Sequence, residues 1–166
     1  MKRLLIAIMM LGAALATSCK KDEIENTATV GMAGEWSVTV DVVDETGELL
    51  YEDPYGMGPF VLVTCNTADN RPDRMFVSDC GNFWEFQVPV NADPKAMTFA
   101  SDGAVDNVLY ECKVTVTGGK ITLGGAETSS GMPADAIELN VVFDDDDYGF
   151  IYNIHGYRYT GLAADE

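Results

Sequence analysis

Gly34-Glu35-Trp36-Ser37-Val38-Thr39-Val40-Asp41-Val42 is the stretch that decides the fold. Trp36, Val38, Val40 and Val42 fall on one side of an extended chain, and Glu35, Ser37, Thr39 and Asp41 on the other. Side chains alternate between the two faces of a strand, so this period of two predicts a half-buried β-strand. The same period recurs downstream. Phe60–Asn66 (FVLVTCN) and Arg74–Ser78 read as strands. Phe83–Val90 places Trp84, Phe86, Val88 and Val90 on one face. Met97–Ala100 and Leu109–Thr117 follow, the latter with Tyr110, Cys112, Val114 and Val116 together. Lys120–Leu123, Ala136–Phe143 and Phe150–Tyr159 complete the series. Glu45–Glu48, Asp79–Asn82, Asp93-Pro94 and Asp144–Gly149 are turn signals, Gly118-Gly119 is a two-residue hairpin signal, and Gly124–Asp135 reads as a long polar loop. No segment shows a helical apolar face. Eight or nine short strands joined by tight turns predict an all-β domain, a barrel or a sandwich; a small antiparallel up-and-down barrel of about eight strands is favoured because the turns are short and closure removes the exposed edges.

Two residues at opposite ends of this pattern bear on closure. Gly34-Glu35-Trp36 opens the first strand, and Arg158 sits in the last, on the face shared by Phe150, Tyr152, Ile154 and Gly156. The pair resembles the G-x-W signature and packing arginine of lipocalins and the wider calycin group. That resemblance implies a calycin-like barrel closed between its first and last strands, with the Arg158 guanidinium stacked on the Trp36 indole, which would explain a charge on an apolar face. A strand end that frays into solvent near Gly161 is the alternative.

Outside the β pattern, Lys2 and Arg3 precede an apolar run, Leu4–Ala16 (LLIAIMMLGAALA). It is too short to cross a hydrocarbon layer of roughly 30 Å, and it has the flanks of a signal-peptide core. Ala16-Thr17-Ser18-Cys19 resembles a bacterial lipobox, which implies a signal peptide over 1–18 and a lipidated Cys19. An ordinary secretory signal cleaved nearby is the alternative. Residues 19–32 read as a flexible tether and 33–166 as a single barrel domain. Asp22, Glu23 and Glu25 resemble the acidic surface-export signals of Bacteroidota lipoproteins; a solvated linker explains them equally well. The expected location is the outer membrane, on its periplasmic or cell-surface face, with the acyl chains of Cys19 as the membrane contact.

Composition sets further limits. Of 166 residues, 10 are Lys or Arg and 27 Asp or Glu, for a net charge of −17. Loss of residues 1–18 removes Lys2 and Arg3 and leaves 8 basic against 27 acidic residues, a charge of −19. A polyanion of this kind is repelled by nucleic acid, which is excluded as a partner. Beyond Cys19 three cysteines remain, Cys65, Cys80 and Cys112, too few and too odd for a full disulfide framework. With a single histidine, His155, and no CxxC pair, a Cys/His zinc site lacks ligands. Asp144–Asp147 lacks the spacing of an EF-hand and reads as a solvated acidic hairpin. His155 lies opposite the apolar face of its strand, and Ser129-Ser130-Gly131 is not a G-x-S-x-G elbow. Cys65 and Cys112 read as small structural hydrophobes. No catalytic residue, metal ligand or cofactor is assigned.

Five stretches carry a resemblance over nearly the whole domain: Ala33–Trp36, Glu52–Gly56, Gly81–Phe86, Ser130–Asp135 and His155–Gly161. They resemble the Bacteroidota lipoprotein family of lipid-binding putative hydrolases, described as calycin-like. The resemblance implies a cell-envelope lipoprotein whose barrel binds a small apolar or amphipathic ligand. An esterase-like hydrolase is one alternative. The other is an accessory surface lipoprotein for glycan or protein capture, with Tyr157 and Tyr159 as stacking groups. Candidate ligand-lining or rim residues are Tyr55, Met57, Phe60, Trp84, Phe86, Tyr110 and Tyr152, and the loop Glu52–Pro59 is a candidate gate. Those side chains are bulky enough that an eight-stranded barrel could be filled by them or hold one small ligand.

Overall fold

The computed structural model describes residues 26–165; Cys19 and the apolar run before it lie outside the described residues. The strands are β1 (Gly34–Val43), β2 (Leu49–Glu52), β3 (Phe60–Asn66), β4 (Arg74–Ser78), β5 (Gln87–Asp93), β6 (Thr98–Ala100), β7 (Ala104–Asp106), β8 (Lys113–Glu127), β9 (Pro133–Phe143) and β10 (Ile151–Arg158). Antiparallel pairing runs β1-β3-β4-β5-β6-β8-β9-β10, and β10 pairs back onto β1. This is a closed eight-stranded barrel. β2 lies along the C-terminal half of β1, and β7 along the start of β8.

The apolar set of β1 points inward as its alternation requires: Trp36, Val38, Val40 and Val42 are all buried. They meet Leu62, Met75, Val77, Val88, Val116, Leu139 and Ile154 in one continuous core. Closure is tightest where Gly156 faces Val38. A Cβ on Gly156 would strike the Ser37 carbonyl and the Val38 Cα, so only glycine lets β10 and β1 approach there.

Several local expectations are revised. Phe83–Phe86 is not strand: β5 begins at Gln87, and the chain before it is curled around Asp79. Leu109–Cys112 is likewise irregular, and Cys112 sits just ahead of β8 rather than mid-strand. Gly118-Gly119 makes no hairpin. β8 runs through it with a register shift between Thr117 and Lys120, so the pair forms a bulge. Gly118 adopts φ 64°, and Gly119 leaves room for the Phe99 ring where any Cβ would collide. The long polar loop shrinks to residues 128–132 because β8 and β9 extend through a second bulge. β2 and β7 were not foreseen. Residues 28–32, placed in the tether by the sequence, form turns on the barrel base. Met32 is fully buried there, and its carbonyl accepts from Thr64 Oγ1 at 2.6 Å.

Candidate functional site

At the base, the Arg158 guanidinium carbon lies 4.3 Å from the Trp36 ring centroid, and the two residues are register partners. Arg158 Nη1 donates to the Ala33 carbonyl at 2.9 Å, and Nε to Asp135 Oδ2 at 3.1 Å. Trp36 Nε1 donates to Thr64 Oγ1 at 2.9 Å. Gly34 has a steric role in this arrangement, since a Cβ at that position would occupy the space of Arg158 Nη1. The base is therefore shut by a cation–π pair that is also hydrogen-bonded to Ala33, Asp135 and Thr64.

The opposite end, the mouth, is closed by aromatic rings held by three carboxylates. Asp79 is fully buried, and its two oxygens accept from the backbone N–H groups of Gly81, Phe83, Trp84, Glu85 and Phe86 at 2.7–3.0 Å. That wrapping needs Cys80 and Glu85 at positive φ, and it directs Phe83 and Trp84 over the mouth. Trp84 stacks on Phe143 with centroids 4.7 Å apart. Asp145 takes hydrogen bonds from Trp84 Nε1, Tyr110 Oη and Cys112 Sγ. Burial raises the Asp145 pKa, but those three donors outweigh it and hold the carboxyl below its ordinary value. Asp146 accepts from the Tyr148 and Phe150 amides and from Tyr152 Oη at 3.1 Å. With Tyr152 donating to Asp146, the Tyr55 hydroxyl donates to Tyr152 at 2.8 Å.

The ring contacts continue outward. Phe86, Phe143, Phe83 and Tyr152 lead from the core, Tyr152 touches Phe150, and Phe150 meets Tyr51 at 5.8 Å and stacks on Tyr148 at 5.2 Å. There the chain opens into a surface groove of about 580 Å³, walled by Leu50–Tyr55 on one side and by Tyr148 and Phe150 on the other. Tyr148 is 76% exposed and Tyr51 56%.

Of the candidate residues named from the sequence, Tyr55 lines this groove. Met57 is exposed, with its amide bonded to Asp53. Trp84 is half-buried in the mouth, and Tyr110 reaches across it to Asp145. Phe60, Phe86 and Tyr152 belong to the core. Tyr157 is not a free shelf: its hydroxyl bonds to Ser129 and to the Asp165 carbonyl. Residues Glu52–Tyr55 of the loop named from the sequence supply part of the groove, and the rest of it was missed. Its signal was Leu49-Leu50-Tyr51, an apolar triplet beside a turn where polar residues are usual, and Tyr148 inside the acidic hairpin.

A family model described as lipid-binding putative hydrolase matches residues 21–163. The chain belongs to this family. Among curated proteins none matches. A crystal structure of a Bacteroides ovatus protein of unknown function, at 2.40 Å resolution, is similar at 14% identity and a TM-score of 0.47. The match covers 77% of this chain and 42% of that one, so the chain spans under half the length of that neighbour.

In this member of the lipid-binding putative hydrolase family, the groups with hydrolytic potential are engaged elsewhere. His155 Nε2 pairs with Asp41 Oδ2 at 3.0 Å on the outer face. Ser130 Oγ donates to Asp165 Oδ1 at 2.5 Å, and Ser129 shares a hydrogen bond with Tyr157. Among the described residues, no hydrogen bond joins either serine to His155. Burial pushes the Cys112 thiol up to about 11, which keeps it protonated and poorly nucleophilic. Cys112, Asp144 and Asp145 lie close enough to share a cation, with ligand atoms within 4.8 Å of one another. In this structure Asp145 accepts three hydrogen bonds from side chains, and Asp144 accepts the Lys113 amide.

Proposed function

We propose that this family member is a binding lipoprotein of the cell envelope that takes a small amphipathic, lipid-like ligand on the rim groove, not in the barrel interior. The observation that carries the reading is the aromatic path from a filled core to an exposed, concave cleft. Trp36, Phe86, Phe143 and Tyr152 fill the interior, with relative exposures of 1% or less. Tyr51, Tyr148 and Phe150 then offer ring faces and edges at the surface, and Leu50 and Pro54 extend the apolar wall. Concave, largely apolar sites with a few polar groups are what small ligands occupy. The family description supports a lipid class of ligand. The Cys19 anchor and the outer-membrane location belong to the same proposal and rest on the sequence around Cys19.

The test is titration of the purified protein with N-phenyl-1-naphthylamine, a neutral apolar fluorophore. Tyr148→Ala and Tyr51→Ala should each weaken binding by about fivefold or more, the loss expected when one ring contact worth about 1 kcal/mol is removed. Leu123→Ala, at an exposed apolar residue far along β8, should leave it unchanged. Equal affinity in all three variants would contradict the groove assignment.

A further inference from the structure

We infer that the rim groove selects a cationic headgroup, so that its ligand is an amphiphile of the alkylammonium class; this rests on the groove being the ligand site. Segments 34–70 and 121–157 contain no Lys or Arg, but eight and seven Asp or Glu residues. The barrel topology places these segments side by side, because β1 pairs with both β2 and β10, and the groove lies where they meet at the mouth. Glu52 and Asp53 stand in one wall. Asp146 and Asp147 immediately precede Tyr148, which stands in the other.

Among the described residues these charges have no ion-pair partner: the ion pairs there are Arg71–Asp73, Lys113–Asp106, His155–Asp41 and Arg158–Asp135, none of them with a groove carboxylate. Asp53 accepts the amides of Met57 and Gly58, and Asp146 accepts two amides and the Tyr152 hydroxyl. Those donors are neutral dipoles and leave the net charge in place. Glu52 is exposed at the wall of the groove. The occupant must therefore pair an apolar body with positive charge. The exposed faces of Tyr51 and Tyr148 suit an ammonium through the ring quadrupole, and the carboxylates around them add to the attraction. A fatty-acid carboxylate or a phosphate monoester would be repelled by the same field.

The experiment is displacement of N-phenyl-1-naphthylamine from the purified protein by three ten-carbon amphiphiles kept below their critical micelle concentrations: decyltrimethylammonium, decyl maltoside and decanoate. At low salt decyltrimethylammonium should compete about tenfold more strongly than decanoate, with decyl maltoside between them, and 0.5 M NaCl should compress the range. Glu52→Gln should weaken the ammonium about threefold more than it weakens the maltoside. Decanoate competing as well as the ammonium would overturn the headgroup assignment, as would a Glu52→Gln effect equal on both ligands. Failure of the groove reading itself shows differently: the neutral fluorophore would not bind, or would bind Tyr148→Ala as well as wild type, and the headgroup inference would fall with it.

Discussion

Arg158 ties the last strand of the barrel to the first. Its guanidinium covers Trp36 and spends its donors on Ala33 and Asp135, and Gly34 is small because the guanidinium occupies the space of its missing Cβ. The side chain keeps 31% of its surface exposed, which discounts the interaction. Arg158→Lys is accordingly expected to lower unfolding stability in urea by about 1–2 kcal/mol, since an ammonium cannot stack flat and bond to two sides at once. Gly34→Ala should cost a similar amount by displacing the same guanidinium. A Gly34→Ala, Arg158→Lys double variant should then lose less than the sum of the two, because both remove one interaction. Additive losses would show that Gly34 and Arg158 act separately. This pair was legible from the sequence through its resemblance to the G-x-W and packing arginine of lipocalins, with which a lone cation on an apolar strand face agrees.

At the scale of elements, legibility followed the period of two and ended where a single carboxylate organises a loop. β1, β9 and β10 carry the alternation, whereas β3 and β4 read as short apolar runs, Phe60–Val63 and Met75–Val77, bounded by turn residues. Trp84 and Phe86 alternate just as well, yet Asp79 gathers five amides from residues 81–86 and takes them out of the sheet. Nothing in the spacing distinguishes that aspartate from a turn residue. Gly118-Gly119 misled for a related reason: the same dipeptide serves a hairpin or a bulge, and the choice rests on whether Phe99 occupies the space over Gly119. Asp79→Asn leaves one acceptor oxygen and adds an amide donor among backbone donors. It should cost roughly 2–3 kcal/mol and speed amide exchange across residues 81–86, with β1 and β10 unchanged. Uniform exchange throughout the barrel would mean that the loop is not held separately by Asp79.

The mouth also carries a pH dependence at this scale. Asp145 has a folded pKa below that of a free carboxyl, so it stabilises the clasp on Trp84 at neutral pH, and the contribution is lost as pH falls through the folded value. Trp84 emission should therefore shift below about pH 4, the ordinary carboxylate range, where the clasp begins to be titrated. Asp145→Asn should show the shifted emission already at pH 7 and no further acid transition of this kind. An unchanged transition in the variant would assign it to another carboxyl.

For the whole molecule, the two ends of the barrel have different roles. The chain enters at the base, where Met32 and Ala33 pack beneath Trp36 and Arg158, and the aromatic mouth lies at the other end of β1 and β10. If Cys19 is lipidated, the seven residues from there to Asn26 reach at most about 25 Å, so the base is held near the membrane and the groove is presented away from it. Cys19→Ala should release the protein from the membrane fraction and abolish labelling by palmitate; a wild-type chain that stays soluble and unlabelled would remove the anchor from the account. The central claim is that the interior is filled and the ligand sits on the rim. Its most direct test is methyl and amide chemical-shift mapping during titration with decyl maltoside. The account predicts perturbations at Leu50–Tyr55 and Asp146–Phe150, with the methyl groups of Val88, Val116 and Leu139 unmoved. Shifts centred on those interior methyl groups, with the rim silent, would contradict it.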